Sequence, residues 1–89
     1  MSKKTLYEAC YTGDLSILKE RHEAGEDIHY NNDLLLKVAF MNNRVEIAKY
    51  LIENKCDKDI IDEQTIGWCE DFQNEEILEY WENIKKETT

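Results

Sequence analysis

The chain has 89 residues, 42% of them hydrophobic, with no Pro, three Gly and a net charge of −9. That length suits one domain and excludes two, and that apolar content excludes a disordered tail. The excess acid disfavours direct binding to a nucleic-acid backbone, whose affinity comes from Lys and Arg, and favours a partner protein with a basic surface.

Taken in chain order, three stretches align without gaps at an offset of 30 residues: LYEACYTGDLSILKERHEAGEDI from Leu6, LKVAFMNNRVEIAKYLIENKCDK from Leu36, and IGWCEDFQNEEILEYWENIKKET from Ile66. In the first, Gly25 stands where a helix is expected to terminate. Asp33 then serves as an N-cap or near-cap for the next helix. In the second stretch, Leu36, Ala39 and Phe40 recur at i, i+3 and i+4, one face of a helix. Asn42 and Asn43 mark a tight corner, because Asn tolerates left-handed backbone. Val45, Ile47, Ala48, Leu51 and Ile52 resume helical spacing, and this helix is expected to end near Asn54–Lys55. Asp62 is likewise suited as an N-cap or near-cap for the third stretch.

Equivalent positions hold like residues: Leu6, Leu36 and Ile66; the small Ala9, Ala39 and Cys69; Ile17, Ile47 and Ile77; Leu18, Ala48 and Leu78. The pattern predicts an all-α chain of helix pairs, each sealing the apolar face of its neighbour, in units 5–33, 34–63 and 64–87 of a single domain. Polar substitutions at the ends read as caps. Glu20, Arg21 and His22 replace Tyr50, Leu51 and Ile52 in the first unit, and Glu82 replaces Ile52 in the last.

These residues resemble the ankyrin repeat. Ala9-Cys10, Gly13, Ile17-Leu18, and Gly25 with Asp27 carry the match in the first unit. In the second it is Val45 to Glu53 leading to Cys56-Asp57. The period is shorter than the common ~33 and resembles compact arrays frequent in large DNA viruses, with Asn31-Asn32-Asp33 before a first helix. The resemblance implies an ankyrin-type helix-turn-helix repeat solenoid of about three units. It departs from the family in lacking the Thr-Pro-Leu-His opening, where Leu34-Leu35-Leu36-Lys37 and Gln64-Thr65-Ile66-Gly67 stand instead. Short loops imply stunted β-hairpin fingers, and Gly67 inside a helix costs ~1 kcal/mol relative to Ala.

The resemblance also implies a non-enzymatic protein-binding module acting through loop tips and the first helices. Carried over, that surface comprises Tyr11, Thr12, Tyr30, Asn31, Asp33, Met41, Asn42, Ile60, Ile61, Glu63, Asp71 and Phe72. Met41 and Phe72 fit the core equally well. The other reading starts from charge. Residues 61–89 carry a net −7, against −2 for 1–30 and zero for 31–60. Asp62, Glu70, Glu75, Glu76, Glu79 and Glu82, with Glu63 and Asp71, surround Trp68 and Trp81. Such carboxylates on a rigid surface imitate phosphates, as an anti-CRISPR-like viral or phage inhibitor of a nucleic-acid-binding machine would. The alternative role for that acid is solubility, and for both tryptophans it is core packing.

No enzyme is expected. Glu75 and Glu76 are consecutive and point to different sides of a helix, and there is no Gly-rich phosphate loop. No cofactor or metal is expected either. Cys10, Cys56 and Cys69 form no Cys-x-x-Cys pair, and zinc would require His22 or His29 from unrelated positions. The thiols read as reduced, with Cys10 half-buried. No apolar run approaches the ~20 residues that span a bilayer, and Met1 to Leu6 does not read as a signal peptide. A cytoplasm, of a cell or an infected host, is the expected compartment. A second copy of the chain is a candidate cover for an apolar end at Trp81.

Overall fold

Side-chain caps account for where three of the helices begin. Thr5 forms a capping box, its hydroxyl accepting from Glu8 N while the Glu8 carboxylate accepts from Thr5 N, and starts α1 (Leu6–Thr12). Asp14 accepts from Ile17 N and starts α2 (Leu15–Glu23). After α3 (Tyr30–Met41) and α4 (Val45–Glu53), a 3₁₀ turn (Lys58–Ile60) leads to Asp62. Asp62 caps α5 (Glu63–Asp71) by accepting from both the backbone N and the hydroxyl of Thr65. These two bonds hold its carboxyl below the usual carboxylate range. The chain ends in α6 (Glu75–Glu87). This computed structural model describes residues 4–87, so the part of the N-terminal expectation that falls on Met1 to Lys3 lies outside the described residues. There is no strand among the described residues; helices and tight turns replace any finger hairpin.

The period seen in the sequence is written into the backbone. Gly13, Asn43 and Gln73 are all left-handed, at φ 85°, 58° and 60°. The next residue of each turn bonds back across it in the same way: Asp14 N to Ala9 O at 2.8 Å, Arg44 N to Ala39 O at 2.8 Å, Asn74 N to Cys69 O at 2.9 Å. A second closure recurs once, in Glu26 N to Arg21 O and Cys56 N to Leu51 O. The left-handed residue before it is Gly25 in one turn and Lys55 in the other. The third unit breaks this pattern. Where Asn54 caps α4, the equivalent residue is the buried Ile84, and α6 runs on through Glu87.

Each consecutive pair of helices forms a hairpin. Helix α3 lies against both α1 and α5, and α4 lies against both α2 and α6. Ala9, Ala39 and Cys69 are fully buried where the first helices approach each other. The two apolar positions on the second helices face opposite neighbours. Ile47 and Ile77 are buried while Ile17, on the outer helix α2, is half-buried; Leu18 and Ala48 are buried while Leu78, on the outer helix α6, is half-buried. Ile17 and Leu78 thus mark the two ends of the stack.

Side chains on the turns clasp the preceding hairpin. Arg44 Nε donates to Tyr11 O at 3.0 Å, and the equivalent Asn74 Nδ2 donates to Met41 O at 3.0 Å and Phe40 O at 3.2 Å. Arg44 also covers Gly13, so a Cβ there would stand 3.0 Å from Arg44 Cδ. Positive φ and this close approach together favour Gly at that position.

Three expectations need correction. Cys10 is fully buried rather than half-buried, and its thiol is pushed up to about 12 by burial. Trp68 is 39% exposed and is not a core residue, whereas Trp81 packs edge-on against Phe40 at 5.5 Å. Asp33 is not an N-cap; it is left-handed (φ 62°) and its carboxylate reaches another loop.

Gly67 lies inside α5, without positive φ and with open space where a methyl group would stand. Gly67→Ala is therefore expected to raise stability by ~0.5–1 kcal/mol, read as a higher urea midpoint at unchanged slope.

Candidate interaction surface and a buried polar cluster

The C-terminal ends of α1, α3 and α5 lie side by side and bring equivalent residues into one strip. Tyr11, Met41 and Asp71 form one row, and Thr12, Asn42 and Phe72 the next. Tyr11 is 52% and Phe72 60% exposed. Met41 and Asn42 are half-buried, and Thr12 and Asp71 are exposed. Phe72 is thereby outside the core. Tyr7 stacks on Tyr11 at 6.4 Å and extends the aromatic surface by one turn of α1. The Thr12 hydroxyl donates to Glu8 O and accepts from Lys4 Nζ, so the corner is held from both sides.

The remaining residues expected on the same surface divide. Asn31 and Glu63 are exposed, and Tyr30 and Ile60 are half-buried. Asp33 and Ile61 are buried, which removes both from an accessible contact surface. Ile61 packs into the core ahead of α5, and Asp33 is turned inward by the left-handed run Asn31-Asn32-Asp33.

The acidic residues are all exposed; five of the eight line two grooves, while Glu75 and Glu82 line neither and Asp71 belongs to the strip above. Glu76 and Glu79 on α6 face Glu46 on α4 across a groove of about 390 Å³ that also includes Lys49 and Tyr80. A hydrogen bond from Asn43 Nδ2 keeps the Glu76 carboxyl below its ordinary range. Asp62, Glu63 and Glu70 line a second groove beside Trp81, at the outer end of the stack. Trp81 thus does sit among carboxylates, with Lys85 Nζ over its ring at 5.9 Å.

A third feature is invisible in the sequence pattern. His29, Asp33 and Cys56 converge, although 27 residues separate His29 from Cys56. His29 Nδ1 lies 2.7 Å from Asp33 Oδ1 and 3.6 Å from Cys56 Sγ. The other Asp33 oxygen accepts from Asp57 N at 2.9 Å. Burial pushes the Asp33 carboxyl up, but the bonds from Asp57 N, His29 and Cys56 outweigh it and lower it on balance. Burial, with the neighbouring Asp33 charge, pushes the Cys56 thiol up to about 12. The only sequence signal for this cluster is the chemical type of the three residues, since nothing local brings them together.

No helix among the described residues is long and apolar enough to cross a membrane. The chain matches no family model, no curated protein and no solved structure.

Proposed function

We propose that this chain is an ankyrin-type repeat array of three helix hairpins that acts without catalysis, by binding another protein. The repeat reading is supported by the three left-handed corners and their identical closing bonds at one spacing. The binding reading is carried by one observation: two large aromatic side chains, Tyr11 and Phe72, stand more than half exposed along one strip of first-helix ends. Exposed aromatics are the anchors that interfaces favour. Rigid helix ends hold them in place, which keeps the ordering cost of binding low.

The groove between α4 and α6 supports a second reading. Three carboxylates face it against one ammonium, on second helices rather than on the first-helix ends that carry the aromatic strip. A basic groove that normally holds a nucleic-acid backbone would accept this surface, making the chain a phosphate-mimicking inhibitor.

The two readings separate in one capture experiment from a lysate of the source cell or its host, at low and high salt. The aromatic reading expects a partner kept in high salt and weakened ~30-fold or more by Tyr11→Ala with Phe72→Ala, the effect of losing an anchor worth ~2 kcal/mol. The mimicry reading expects a nucleic-acid enzyme released by salt and lost on Glu76→Gln with Glu79→Gln. Recovery of the chain alone, with neither pair of substitutions changing anything, sinks both.

A further inference from the structure

We propose that His29, Asp33 and Cys56 form a three-ligand site for one divalent cation of the zinc class. Three chemically different donors, an imidazole nitrogen, a carboxylate oxygen and a sulfur, lie within 4.8 Å of one another. Zinc holds such donors at about 2.0–2.3 Å in a tetrahedron. That geometry requires sulfur and nitrogen to be about 3.6 Å apart and nitrogen and oxygen about 3.4 Å apart. The sulfur–nitrogen separation is already 3.6 Å. The 2.7 Å contact between His29 and Asp33 must open by several tenths of an ångström as a metal replaces the shared hydrogen.

The supports around the donors are those a metal site uses. Asp33 is oriented by Asp57 N on its second oxygen, and its first, now paired with His29, is the one that would ligate. His29 is fixed through its own backbone N, which donates to Asp27 Oδ1 at 2.8 Å. Cys56 sits directly after the left-handed Lys55, in the closure of Cys56 N onto Leu51 O. The His29 side chain is 43% exposed, so an ion has a way in and water can complete the fourth position.

Binding releases the thiol proton to solvent, and the resulting thiolate and carboxylate neutralise the ion's two charges. The sulfur donor selects zinc or cobalt over magnesium and calcium, which prefer oxygen. The bound ion would tie the His29–Asp33 segment at the start of α3 to the loop after α4, closing the open end of the middle hairpin. It would also offset the cost of the successive left-handed residues Asn31, Asn32 and Asp33.

The test uses the full chain, freed of metal, titrated with zinc or cobalt chloride alone. Expected are one ion per chain, a higher melting temperature with zinc, and a thiolate-to-cobalt charge-transfer band. His29→Ala and Cys56→Ala should each weaken binding by more than about tenfold, while His22→Ala should leave it unchanged. Absence of both the band and the melting shift in the parent chain overturns the site. So does undiminished binding by His29→Ala whose circular dichroism matches the parent.

Discussion

Phe40→Ala is expected to lower the unfolding free energy by about 3–5 kcal/mol, the largest loss of any single truncation in this chain. Phe40 is fully buried in α3, the helix that contacts both α1 and α5. Its ring also meets Trp81 of α6 edge-on at 5.5 Å, with the planes 86° apart. One side chain therefore joins the middle hairpin to the last. A domain of this size has a total stability of about 4–13 kcal/mol, at 0.05–0.15 kcal/mol per residue. The substitution thus brings it close to unfolding at room temperature. Urea titration followed by circular dichroism and by tryptophan fluorescence checks this, the second probe reporting on Trp81 together with Trp68. A loss below about 1 kcal/mol would mean that the middle hairpin is not packed as described.

Asn74→Ala should cost about 1–3 kcal/mol, although it removes only a carboxamide. Asn74 is buried, and its Nδ2 is a donor to both Phe40 O and Met41 O. Phe40 O keeps a weaker contact from Cys69 Sγ at 3.2 Å, but Met41 O loses its clasp. The equivalent Arg44→Ala is expected to cost about 1 kcal/mol or less, because the Arg44 bond to Tyr11 O is exposed and water replaces it. The contrast between two equivalent positions is the informative result. Equal losses in a parallel pair of urea titrations would show that burial does not set the value of the clasp.

Much of the architecture is legible in the sequence because it depends on short-range spacing. Ala9, Ala39 and Cys69 stand at one helical position in register, and close approach of helices requires small residues there. Asn43 marks a corner because few side chains accept positive φ, and its φ is 58°. The failures share the opposite property. Asp33 has the residue type of an N-cap, and nothing local reveals that its carboxylate binds Asp57 N, 24 residues away. His29 and Cys56 are hidden for the same reason. Trp68 falls on the unexpected side, and Phe72 fitted core and surface equally, because an apolar residue near a helix end suits either and only the position of the neighbouring hairpin decides. The overrun of α6 is marked by Ile84 in place of Asn54, an apolar residue whose burial favours one more turn of helix.

The clasps of Arg44 and Asn74 have a direction: the donor is always the later residue and the acceptor an earlier carbonyl. A ribosome delivers the acceptors first. Each newly emerged pair of helices then arrives with its own latch and finds the catch already in place, so the stack can be assembled one storey at a time in the order of synthesis. Run backwards, the same order makes the last storey the one whose departure leaves the earlier clasp, Arg44 on Tyr11, intact.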